Sequence, residues 1–297
     1  MMDNANIWSQ YIQSSEELYA SREVRFRADN KDLWLDAMKI KDSMNVLEIG
    51  CGSGVFCHRI KEFLPNAAVT GLDRDIGHIR FAQAKTKELS LDCGFIFGDA
   101  LNLPFDDNTF DACTSHTVIE HVETDKFLGE QYRVLKNGGV ISVLSVRSRL
   151  SIFLDLLPDG SQEAALLNKA WEKADSFDKE HGIGAFDLDE KELPAALVNA
   201  GFSRVNVHFI SDVRYAPDNA DVSDELAMQQ INVNRISLLS SMKKALNRSP
   251  DALSENEAAH FAKLINQRFD DRIERYLSGD KIWDIATGTV MAVTGYK

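Results

Sequence analysis

Between Asn45 and Val146, five short apolar runs alternate with stretches of helical spacing, and no other feature narrows the available folds so much. The runs cover 45–49, 68–72, 93–97, 110–114 and 140–146, while 55–63, 77–89 and 125–135 repeat apolar residues every three or four positions. Strand then helix, at roughly 20 to 30 residues per unit, implies a parallel sheet with helices on both faces. Residues 5–40 and 189–200 also read as helical, and 205–210 and 286–294 as strands. The stretch 148–185 reads as mixed helix and loop, broken at Pro158-Asp159-Gly160 and ending in a flexible connection at His181-Gly182-Ile183-Gly184. From about 216 to 280 the chain is polar and helical, with Phe261, Leu264, Ile265, Phe269, Ile273 and Tyr276 on one helix face. That stripe either packs on a core, caps a pocket or faces a second subunit in a homodimer.

Composition excludes several classes. A chain of 297 residues, 44% hydrophobic and 27% charged, is ordinary globular material. Its formal net charge of −13 opposes phosphate backbones, so no nucleic-acid partner is expected. No run approaches the ~18 apolar residues of a membrane span, and Met1-Met2-Asp3-Asn4-Ala5-Asn6 lacks a secretory signal's basic and apolar regions. Cys51, Cys57, Cys93 and Cys113 form no Cys-x-x-Cys pair, which disfavours zinc and fits core thiols in a reducing cytoplasm.

The most informative segment is Val46-Leu47-Glu48-Ile49-Gly50-Cys51-Gly52-Ser53-Gly54, a strand running into a turn of three alternating glycines with a helix directly after it. Glycine admits positive φ and lets a ligand lie close to the backbone, and the helix start offers exposed N–H groups. In a dinucleotide fingerprint, Gly-x-Gly-x-x-Gly, the third glycine falls one residue later. Here Glu48 also precedes the first glycine; a carboxylate there suits an ammonium group better than a pyrophosphate.

Two further acids end the next strands. Asp73, nineteen residues after Gly54, could accept both hydroxyls of a ribose, and the Arg74 guanidinium beside it could stack on a purine. Asp99, in Gly98-Asp99-Ala100-Leu101, could accept an adenine amino group. Acids at the carboxyl ends of neighbouring parallel strands converge on one crevice.

These residues, together with Arg133-Val134-Leu135-Lys136-Asn137-Gly138-Gly139, resemble the motifs of class I methyltransferases. The likeness is good over 43–146 and looser over 186–215 and 281–297. It implies a Rossmann-like, seven-stranded, mostly parallel sheet in the order 3-2-1-4-5-7-6. It further implies a single domain: a helical lid at 1–42, a cofactor core at 43–147, an active-site cover at 148–185 and a helical insertion at 216–280, with 186–215 and 281–297 completing the core. The cofactor would be S-adenosyl-L-methionine, leaving as S-adenosyl-L-homocysteine, held by Glu48, Gly50, Cys51, Gly52, Gly54, Asp73, Arg74, Asp99, Ala100, Leu101, Ser115 and His116. In the lid, Tyr19, Arg22, Arg25, Phe26 and Arg27 resemble pocket-covering residues, with Tyr19 or Arg25 placed to hold the cofactor's carboxylate. Arg147 and Arg149 lie at the expected pocket mouth, where they could meet an anionic acceptor.

Methyl transfer from an activated donor depends mainly on positioning, and a base matters only where the acceptor must lose a proton. His116 and His121 are the candidates. Some relatives carry Glu-x-x-Glu-His at this place and use it with a metal. This chain has Thr117 instead of the first Glu, so metal independence is expected. The expected activity is methylation of a small, unidentified acceptor. The alternatives are an aminopropyl-type transferase, a non-catalytic partner protein on the same fold, and a protein or RNA acceptor.

Overall fold

The computed structural model describes residues 7–154 and 161–297, so the break at Pro158-Asp159-Gly160 and the first six residues lie outside the described residues. The chain divides into two compact units. One runs to Arg147 and takes in 183–210 and 289–297; the other comprises 148–182 and 211–288.

In the first unit every apolar run is a strand: β1 (Asn45–Ile49), β2 (Ala68–Asp73), β3 (Cys93–Phe97), β4 (Phe110–His116) and β5 (Leu135–Val146). Beyond them come the two-residue β6 (Phe153–Leu154), then β7 (Ser203–Tyr215) and β8 (Ile285–Tyr296). β1 lies parallel between β2 and β4, β3 and β5 flank those, and β8 runs antiparallel to β5. β7 pairs with β8. With β6 left out of the count, the long strands follow the order 3-2-1-4-5-7-6. β5 starts five residues before the apolar run because Gly138 N–H donates to the Lys297 carbonyl and Lys297 N–H to that of Gly139, at 3.0 and 3.1 Å. A register shift opposite 110–112 absorbs the glycines.

Strand periodicity feeds two cores. Val46, Val140, Leu144, Val290 and Ala292 join one cluster with Trp34, Phe56 and Ile60; Leu47, Ile141, Val143, Met291 and Val293 join another with Phe127, Leu128 and Leu197. The covering helices are α1 (Ser15–Glu23), α2 (Lys31–Met38), α3 (Val55–Phe63), α4 (Ile76–Glu88) and α5 (Thr124–Val134). Because β2 and β3 lie on one side of β1 and β4 and β5 on the other, a crevice opens at the carboxyl ends of β1 and β4.

The second unit is mainly helical, with α6 (Gln162–Glu180), α8 (Asp224–Arg248) and α9 (Glu255–Leu277); α7 (Glu192–Asn199) belongs to the first. Much of the stretch read as mixed helix and loop is α6, whose N-cap Ser161 accepts the Ala164 N–H. Phe261, Ile265 and Phe269 of the α9 stripe are buried with Ala170, Ile231 and Met242, so the stripe is a core face of its own unit. On the same helix Arg272, 5% exposed, pairs with Asp218 at 2.8 Å and Asp284 at 2.9 Å, and Tyr215 donates to Asp284. No helix among the described residues is long and apolar enough to cross a membrane.

Candidate functional site

At the carboxyl edge of the first unit's sheet is a cavity of about 380 Å³, within the usual range for small-molecule clefts. Glu48, Gly50, Cys51, Gly52, Asp73, Arg74, Asp99, Ala100, Leu101, His116 and His121 all line it. Gly54, Ser115, Tyr19 and Arg25 do not. Gly50 and Gly52 hold φ values of +70° and +52°, which turn the chain beneath the cavity. Gly54 has a different task. A Cβ built there would stand 2.8 Å from Ala82 Cβ and from Phe95 Cζ, so its bareness lets α3 start close against its neighbours.

The acids are held in distinct ways. Asp73 Oδ2 accepts the Gly52 N–H and Oδ1 the Asp75 N–H, each at 2.8 Å, leaving lone pairs for two more donors. Burial pushes its carboxyl up, against the pull of His78 and of these two N–H groups. Asp99 Oδ1 accepts the Leu101 N–H at 2.9 Å. Glu48 accepts the Cys57 thiol at 2.9 Å, and burial pushes it up to about 8 against the pull of that thiol and of the Cys57 backbone N–H.

The amino-terminal segment covers the cavity with side chains that sequence patterning does not single out. Ser9 donates through N–H and Oγ to both oxygens of Asp75, at 2.8 and 2.7 Å, while Asp75 also caps α4. This latch places Trp8 in the cavity wall, edge-on to His121 at 4.7 Å. The Arg74 guanidinium, read above as a purine stacker, lies 5.7 Å from the Trp8 ring centre. Leu18 covers Gly52, whose Cβ would meet it at 2.6 Å.

Tyr19 and Arg25 are engaged elsewhere. Thr86 Oγ donates to the Ala82 carbonyl, so it accepts from His58 Nε2, which leaves His58 Nδ1 to accept from Tyr19. That chain ties α1, α3 and α4 together, and burial raises Tyr19 to about 12 and lowers His58 to about 4. Arg25 donates to His116 Nε2 at 2.9 Å. Of the lid arginines, it is Arg22 that lines the cavity, and its Nη2 reaches Thr117 Oγ1 at 3.5 Å. Two arginines three positions apart, Arg22 on α1 and Arg25 in the turn after it, carried the signal; only packing picks the one that lines the cavity.

Both histidines have a ring nitrogen committed. A guanidinium has no lone pair, so His116 Nε2 accepts from Arg25 and its proton sits on Nδ1. His121 Nδ1 accepts the Gly184 N–H at 2.9 Å, which puts the proton on Nε2. Burial lowers His121 to about 4, with Arg74 adding to the effect. As bases, both would have to surrender these bonds. Glu120 beside His121 is also held up, to about 7, chiefly by burial; it does not line the cavity. Arg147, buried at the end of β5, faces Glu190 at 3.3 Å and Asp187 at 3.8 Å rather than the cavity. Among the described residues no group of three or more His, Cys, Asp or Glu could hold a metal.

A family model described as a methyltransferase domain matches residues 40–200, just over half of the chain. The chain belongs to the class I methyltransferase family. Among curated members, the norajmaline N-methyltransferase of Rauvolfia serpentina is 38% identical over 113 residues, 37% of this chain and 38% of that one. The demethylmenaquinone methyltransferase of Thermus thermophilus is 35% identical over 123 residues, 41% and 54% of the two chains. The chain therefore spans about half or less of the length of these curated relatives. The fold is shared with a phosphoethanolamine N-methyltransferase 2 of Haemonchus contortus, solved with phosphomonomethylethanolamine and S-adenosylhomocysteine. The two agree at a TM-score of 0.56 and 14% identity, over all of this chain and 61% of the other.

Proposed function

We propose that this methyltransferase transfers the methyl group of S-adenosylmethionine to a small molecule with an apolar body, without a metal. The observation that carries the reading is the meeting of Glu48, Asp73 and Asp99 around one glycine-floored cavity at the sheet's switch point. The residues fit that donor. Asp73 keeps lone pairs for two hydroxyls after taking two backbone N–H groups, and Asp99 keeps one oxygen beyond its bond to Leu101. Glu48 suits an ammonium and Arg22 a carboxylate. When bound, the donor supplies an already activated methyl group. The protein's part is then to fix the nucleophile in line and keep water out.

The cavity's lining also includes the apolar side chains of Trp8, Ile12, Val118, Val122 and Phe186. Those side chains favour an apolar acceptor, as do relatives named for norajmaline, demethylmenaquinone and sterol substrates. The net charge of −13 weighs against RNA. With Thr117 where a metal-using relative has Glu, a chelator is expected to leave the rate unchanged. The test is a screen of metabolite fractions for transfer of a labelled methyl group from S-adenosylmethionine. Labelled small-molecule product supports the reading; label found only in protein or RNA refutes it.

A further inference from the structure

Glu48 and Asp73 line the same cavity, yet the chain equips them differently. Asp73 accepts two backbone N–H groups, the usual means of keeping a buried carboxylate ionised. Glu48, 3% exposed, accepts the Cys57 thiol, feels the pull of the Cys57 backbone N–H, and forms no ion pair with any described residue. The charged or titratable groups around it are Cys57 from α3, Cys51 from the turn, Cys93 from β3, Asp73 from β2 and Arg22 from α1. Its strand partners, Gly71 and Thr114, carry no charge.

We propose that Glu48 holds a proton until a cationic ligand enters the cavity and then releases it, so that binding of the methyl donor is coupled to loss of one proton to solvent. The inference rests on the donor reading above. A buried carboxylate with no cation paired to it and another acid nearby is disfavoured in its ionised form. An ammonium group brought into the cavity reverses that balance. The carboxyl O–H bond breaks, its electron pair stays on the carboxylate, and the proton passes to the buffer. Burial and Asp73 push the group up to about 8, against the weaker pull of Cys57 and Arg22. At pH 7 roughly nine copies in ten carry the proton before binding. Proton release makes affinity rise with pH, approaching tenfold per unit well below about pH 8, and the rise turns over above it, where the ligand's own α-amino group loses its proton.

The test is calorimetric titration of the full chain with S-adenosylmethionine at pH 7, in phosphate and in Tris, whose ionisation heats differ. The slope of heat against ionisation heat counts the protons, and about 0.9 should leave per ligand bound. Glu48→Gln, which mimics the protonated acid, should bind with about 0.1 or fewer. Release below about 0.2 in the wild type, or equal release in the variant, overturns the coupling. A wild-type dissociation constant measured from pH 6 to 8 decides the matter without any variant: a flat profile overturns it. Failure to bind in every buffer refutes the donor reading itself, whereas binding without release refutes only the proton coupling.

Discussion

Replacing Gly54 by Ala separates what the third glycine does from what its neighbours do. Its φ is +83°, where a Cβ-bearing residue loses roughly 1–2 kcal/mol. The added methyl would also press on Ala82 Cβ at 2.8 Å, a short rigid side chain, and on the Phe95 ring, and overpacking of this kind costs about 1–3 kcal/mol. Together these predict a loss of about 2–5 kcal/mol. Gly138 is the internal control, because its φ is +80° and nothing lies within 4 Å of a Cβ built there. Gly138→Ala should therefore lose only the conformational part, roughly 1–2 kcal/mol. The smaller entropy of an unfolded Ala offsets both variants alike and drops out of their difference. Urea unfolding of the ligand-free protein, with slopes compared as well as midpoints, measures both. Equal losses in the two variants would refute a packing role for Gly54 and return it to the ligand site.

Other consequences can be checked separately. Asp73→Ala should weaken S-adenosylmethionine binding by about 1.5–3 kcal/mol, since it removes a charged acceptor; unchanged calorimetric affinity would take Asp73 out of the site. His121, lowered to about 4, should stay neutral and protonated on Nε2 down to about pH 5 in nitrogen-15 NMR, with His121→Gln used for assignment; a midpoint near 6.5 would contradict its burial. The folded-state value of Glu48 is raised from 4.5 to about 8, so its contribution to stability is full below the unfolded value and is lost as pH rises through 8. Glu48→Gln should flatten that decline in melting temperature, and a parallel decline in both proteins would assign the slope elsewhere. Arg272→Met strands Asp218 and Asp284 in the second unit's interior and should cost about 3–5 kcal/mol by denaturant unfolding; a loss under about 1 kcal/mol would show that water reaches them.

The strands were legible because a parallel sheet covered on both faces makes each strand a short continuous apolar run, while its helices repeat near 3.6, and both patterns survive in 45–146. The glycine turn and the acids at 48, 73 and 99 were legible for a related reason: each falls at a strand end, which sequence order fixes. What escaped is set by orientation. Tyr19 and Arg22 lie on α1 and Arg25 in the turn just after it, and nothing in their spacing says that Tyr19 meets His58, Arg25 meets His116 and Arg22 lines the cavity. Trp8 escaped because its place depends on Ser9 meeting Asp75, a contact across 66 positions of sequence. The early start of β5 was hidden by Lys136-Asn137-Gly138-Gly139, which reads as a turn and is held extended by residue 297.

The central claim is that the cavity at the ends of β1, β2 and β4 is where the methyl donor sits. Co-crystallisation with S-adenosylhomocysteine tests it most directly. The account predicts ribose hydroxyls on the Asp73 carboxylate, adenine beside Asp99 and the amino group facing Glu48. Density for the molecule at any other place, or none at millimolar concentration, would contradict it.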